Sequence, residues 1–162
     1  MALVGRYEKV AFYGVPGESG VTYHRMTGFT EMSVSKNPKE YSRQYVDEAF
    51  EQTDVTGYSP AIAYAFDQYS DNAVHKDLAA LADNETVGSD AVRQIVIVDM
   101  TQAGKTAGSQ KACRRSYAVV PDGEGGSSDA YTYSGSFKAK SSAVWGEAAT
   151  EDEWETLTFT EA

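Results

Sequence analysis

Gly104-Lys105-Thr106 has the residues with which a phosphate-binding loop ends, and it follows shortly after the apolar run Ile95, Val96, Ile97 and Val98. Such a loop needs a further glycine five positions before the second, so that successive backbone N–H groups curl around a phosphate. That position holds Asp99, whose carboxylate opposes an anion. Ala107-Gly108-Ser109 follows and does not start a stable helix, so no helix dipole is aimed at the site. A surface hairpin loop is expected instead. The two histidines are His24, between Tyr23 and Arg25, and His75, beside Lys76 on what reads as the polar side of a helix. With no His-x-x-x-His spacing and the single Cys113, neither a dedicated zinc site nor an internal disulfide is expected. No Gly-x-Ser-x-Gly elbow presents a nucleophile. Asp47 with Glu48 and Asp152 with Glu153 are adjacent carboxylates, but 24 acids in 162 residues place some side by side by chance. The sequence therefore points to no catalytic, cofactor-binding or metal-ligating residue, and to a protein that is not an enzyme.

Charge narrows the class further. The net charge is −10, and no stripe of Lys and Arg exists to hold nucleic-acid phosphates. After Lys140 come Glu147, Glu151, Asp152, Glu153, Glu155 and Glu161 with no basic residue. This acidic end fits a solubilising surface, and equally a wall that repels a passing polyanion. No apolar run is long enough to cross a bilayer, and the first residues have no charged leader with an apolar block, so synthesis in a cytoplasm is expected.

The elements that must carry these residues read as mostly β. Eleven tyrosines, with frequent Thr and Val in short segments broken by Gly, Asn and Asp, favour strands. Strands are expected over residues 7–14, 26–35, 41–50, 61–66, 92–98, 113–120, 131–140 and 154–160, with a turn at Lys36-Asn37-Pro38-Lys39. Residues 61–66 are apolar on both faces, which predicts a strand covered on both. Cys113 lies in a strand as a small buried hydrophobe. One helix is expected over residues 72–82, capped by Asp71, stopped near Asn84, and with Val74, Leu78, Leu81 and Ala82 as its apolar stripe. Residues 123–128 read as a flexible loop. The expected fold is a β-sandwich or rolled β-barrel with one flanking α-helix, in a single domain over 1–162.

Five stretches carry a resemblance that composition does not. Lys39-Glu-Tyr-Ser-Arg-Gln-Tyr-Val-Asp-Glu48, Gln52-Thr-Asp-Val-Thr-Gly-Tyr-Ser-Pro60 and Phe66-Asp-Gln-Tyr-Ser-Asp-Asn-Ala-Val-His75 resemble the phage major tail protein (tail tube protein) family. Tyr133-Ser-Gly-Ser-Phe-Lys-Ala-Lys140 and Val144-Trp-Gly-Glu-Ala148 are similar to the closing strand and loop of those proteins. The resemblance implies a subunit that closes into hexameric rings, which stack around a tape-measure protein into a channel for DNA. The implied partners are further copies of itself, the tape-measure protein, and tail terminator and distal tail proteins. DNA passes without sticking, no membrane is engaged, and the implied location is the virion.

The family's inter-ring contacts imply an extended hairpin, placed at residues 41–59, with segments 1–6 and 141–153 as terminal assembly elements. Tyr41, Tyr45, Glu48, Glu51, Asp54, Tyr58 and Trp145 are the interface candidates, and Asp47, Glu48, Glu51 and Asp54 the candidates to face the lumen. Two other classes fit the same residues: a tube subunit of a contractile or type VI-like injection device, and a monomeric β-sandwich binding or decoration module. Hollow tubes in a micrograph separate the last from the first two.

Overall fold

The computed structural model describes residues 2–126 and 128–162. Ile95, Val96, Ile97 and Val98 are apolar in succession because β7 (Val92–Ala103) is packed on both faces. Val96 and Val98 point into one core, and Ile95 and Ile97 into another. The same holds for β1 (Lys9–Gly17), where Val10 and Phe12 enter the first core and Ala11 and Tyr13 the second. A strand with period-two side chains and no polar face must sit between two layers.

The first core fills a closed barrel. β1 pairs with β2 (Gly20–Arg25), β2 with β11 (Thr156–Glu161), and β11 with β10 (Val144–Ala149). β10 pairs with the first part of β8 (Gln110–Gly125), β8 with β7, and β7 with β1, all antiparallel. Val10, Phe12, Val96, Val98, Ala112, Ala148 and Leu157 pack inside, and full closure leaves these strands no exposed edge on that side.

The second core lies outside this barrel. The far part of β8 continues the sheet through β9 (Thr132–Ala139), β6 (Ala61–Asp67) and β3 (Phe29–Ser35). Ile62, Tyr64, Phe66, Tyr133 and Phe137 from this extension pack with Tyr13 and Ile95. Helix α1 (Ala73–Asp83) adds Val74, Leu78, Ala79 and Leu81 to the same core. The expected mostly-β, rolled-barrel fold with a flanking helix is what forms.

Several local expectations change. Asn72, not Asp71, caps α1, its Oδ1 accepting from the N–H groups of Val74 and His75 at 2.9 and 3.2 Å. His75 is fully buried rather than on the polar face: Nδ1 accepts from the Tyr69 N–H at 3.0 Å, and Nε2 meets the Thr27 carbonyl at 2.7 Å. β6 is not covered on both faces, because Ala61, Ala63 and Ala65 stay half-exposed. Cys113 is half-buried, with its thiol pKa raised by burial. The loop at residues 123–128 begins only after Gly125, since β8 runs on to that residue, and Ser127 lies outside the described residues.

The helix is tied down by its acidic side chains. Asp77 Oδ2 accepts from the Tyr13 hydroxyl at 2.5 Å and from Arg93 Nε at 2.8 Å, and Asp83 Oδ1 accepts from the Tyr133 hydroxyl at 3.2 Å. Both Asp77 and Arg93 are largely covered, so neither charge can be left without the other cheaply.

Candidate assembly surfaces

Residues 41–50 do not form one strand. The chain leaves β3, turns at Asn37 with φ 46, and forms β4 (Pro38–Arg43), then reverses over residues 44–51 into β5 (Gln52–Tyr58). The residues expected as a turn at 36–39 thus form the root of a hairpin, held by Asn37 Nδ2 donating to the Ser59 carbonyl at 3.0 Å. Nearly every residue of β4 and β5 is exposed, and the two strands make a sheet of their own. The reversal is ordered by local bonds: the Glu48 N–H donates to the Tyr45 carbonyl at 3.1 Å, and Gln52 Nε2 donates to the Glu48 carboxylate at 2.6 Å.

This hairpin holds most of the residues singled out from sequence. Tyr41 and Tyr58 lie on its two strands, Tyr45, Asp47, Glu48 and Glu51 in its tip, and Asp54 opposite Tyr41. The lumen candidates therefore sit toward the tip rather than at the hairpin base. Tyr41 is covered on one side by the Arg43 guanidinium, 5.1 Å from the ring centre. Two tip residues outside the candidate set are the most exposed apolar groups there: Phe50 is 79% exposed and Val46 wholly so. Their signal in the sequence is two apolar side chains set among Asp47, Glu48 and Glu51.

Trp145 lies elsewhere. Within segment 141–153, β10 is a barrel strand with Ala148 fully buried. Trp145 faces outward from β10, half-exposed, with Lys111 Nζ 4.8 Å from its ring. It borders a cleft of about 480 Å3 that also carries Lys105, Glu147 and Glu161, a mixed charge set.

The expected surface loop at residues 104–109 is present, and it does hold an anion, the chain's own Glu147. The N–H groups of Lys105 and Thr106 donate to Glu147 Oε2 at 2.8 and 3.1 Å, and the Thr106 hydroxyl donates to Oε1 at 2.6 Å. These bonds, led by the Thr106 hydroxyl, hold the carboxyl below its usual pKa. Asp152 is similarly engaged, its pKa lowered to about 2 by the hydroxyl and N–H of Thr156 and the hydroxyl of Thr150. It braces the β10–β11 turn, where Glu153 and Trp154 adopt φ of 60 and 68. Two of the six acids in the C-terminal stretch are thus structural.

Among the described residues no three His, Cys, Asp or Glu side chains converge as a metal site, and no helix is long and apolar enough to cross a membrane. His75 is spent on two backbone groups, and burial lowers its pKa.

The sequence matches no known family profile and no curated protein. The fold does match solved structures. A chain in the cryo-EM structure of the anti-feeding prophage (AFP) baseplate, 6-fold symmetrised, superposes with a TM-score of 0.51 at 6% identity, over 90% of this chain and 97% of that one. The two chains share a fold across nearly their whole lengths.

Proposed function

We propose that this chain is a non-enzymatic structural subunit of a bacteriophage tail tube, which forms hexameric rings that stack around a tape-measure protein into a channel for DNA. The observation that carries the reading is the hairpin of residues 38–58, an arm with an exposed acidic and apolar tip standing off a rigid, doubly cored body. Such an arm contributes no side chain to either core, and exposed apolar groups at its end mark an interaction surface. The fold shared with a chain of a sixfold baseplate supports a place in a tail-like particle. A ring follows when a heterologous contact closes on itself, and stacking follows when a second contact repeats along the axis.

That baseplate likeness favours a second reading, a subunit of a contractile injection device. In both, the acidic surface keeps DNA or another polyanion from adhering to the assembled wall. Sedimentation velocity over a wide concentration range, with and without the hairpin tip, tests the proposal. Concentration-dependent species larger than a single hexameric ring that vanish with the tip are expected. A monomer at every concentration, including beside a tape-measure partner, contradicts it.

A further inference from the structure

The chain has a net charge of −10, yet a cleft at the root of the hairpin carries positive charge only. It measures about 460 Å3 and is lined by Arg115 from β8, by Lys140 and Ser142 from the turn after β9, and by Tyr58 and Ser59 where β5 ends. No acidic residue lines it. Backbone bonds hold its walls together. The Ser59 N–H donates to the Lys36 carbonyl at 3.2 Å, the Ala139 N–H to the Pro60 carbonyl at 2.9 Å, and the Lys140 N–H to the Ser116 carbonyl at 2.8 Å. The Ser116 N–H donates to the Ser141 hydroxyl at 3.1 Å, which anchors the turn carrying Lys140 to the strand carrying Arg115. The cleft is therefore preformed.

Its cations lack counterions. The ion pairs within 4.0 Å among the described residues are Lys9–Asp99 and Arg93–Asp77, so neither Arg115 nor Lys140 meets a carboxylate. Arg115 Nε is buried and has no hydrogen-bond partner among the described residues. A buried charged donor left unmade is costly, which points to an acceptor supplied from outside the chain. The Tyr117 hydroxyl is a polar neighbour of Arg115: burial raises its pKa and the Arg115 charge works against that rise. Lys36 adds a third charge nearby, since burial raises the Cys113 pKa while Arg115 and Lys36 both act to lower it. We propose that this cleft binds a phosphoryl group, either as free phosphate or as a phosphate monoester. Such a group carries close to two negative charges at neutral pH and three outward oxygens, matching a guanidinium fork and an ammonium together. A carboxylate, with one charge and two oxygens in a plane, leaves part of this donor set unused. Tyr58, Ser59 and Ser142 are exposed at the rim and bring hydroxyl donors to the same group. The site needs no second copy of the chain, and when filled it ties the hairpin root to β8.

Equilibrium dialysis of the full chain against radiolabelled inorganic phosphate, at neutral pH and constant ionic strength, reads binding whether or not the protein assembles. Saturable uptake of one phosphate per chain is expected. Arg115→Gln and Lys140→Gln should each weaken it at least about tenfold, the scale of one charge-assisted hydrogen bond. Where Arg115→Gln does not fold, Lys140→Gln and Ser142→Asp decide, because both positions are exposed. Competition identifies the source: displacement by glycerol 3-phosphate at concentrations similar to those of phosphate shows a monoester site, and displacement by phosphate alone shows a site for the free anion. No saturable uptake by the wild type, uptake unchanged in Lys140→Gln and Ser142→Asp, or displacement by acetate as effective as by phosphate would each overturn the assignment.

Discussion

Replacing residues 44–51 with Asn-Gly should leave the fold intact and abolish the stacking of rings. Arg43 and Gln52 are a cross-strand pair, so a two-residue turn of this kind closes the hairpin in register. No residue of 36–59 belongs to either core, and the tip residues are all exposed. Shortening the connection from eight residues to two changes the loop-closure entropy by about 1 kcal/mol. At about 2–4 °C per kcal/mol for a domain of this size, the melting temperature should move by no more than a few degrees. Association behaves differently. Burying Val46 and Phe50 at a contact is worth about 1.5–3 kcal/mol each, so their loss should weaken it by about 10²–10⁴-fold. Thermal melts read the first quantity and sedimentation velocity the second. A melting temperature lowered by more than 10 °C (roughly 3 kcal/mol or more) would refute the view of the hairpin as an independent arm, and unchanged assembly would refute its adhesive role.

Other expectations follow from the body. Asp77→Ala strands Arg93 and the Tyr13 hydroxyl under α1 and should cost about 3–5 kcal/mol in urea unfolding, whereas a change below 1 kcal/mol means the charges are hydrated after all. The lowered pKa of His75 means the unfolded chain binds its proton more readily. Stability should therefore be full above about pH 6.5 and decline as pH falls below it. His75→Phe should remove that slope in melts between pH 5 and 7. Glu147→Ala releases the N–H groups of Lys105 and Thr106, so trypsin should cut after Lys105 faster than in the wild type with global stability little changed. Gly146→Ala sets a Cβ against the Thr160 carbonyl across the β10–β11 pair and should open the barrel there, measured as loss of amide protection in β11.

The mostly-β class was legible because period-two apolar patterns at Ile62, Tyr64 and Phe66 and at Tyr133 and Phe137 are local. The helix was legible because Val74, Leu78 and Leu81 recur at its period. The burial of His75 is not legible because His is polar by type, while that burial depends on Thr27 and the Tyr69 N–H, which only the fold brings together. The strand expected through residue 50 failed for a related reason: alternation of Tyr45 and Val46 continues across a reversal that local bonds from Glu48 create. β10 lacked a clear pattern, since Trp145 faces out and Gly146 is needed where strands press together. The Glu147 loop was visible as an anion-binding sequence, but nothing local said that the anion is a side chain 41 residues away. Of the interface candidates, the hairpin set lies together and Trp145 lies apart, because spacing does not reveal that β10 closes a barrel.

The most direct test is negative-stain microscopy of the purified full-length protein after concentration. Hollow rings with sixfold class averages are expected, with stacks of them that grow with concentration and are absent from the tip-replaced variant. Uniform single domains, or solid aggregates with no bore and no rotational symmetry, would contradict it.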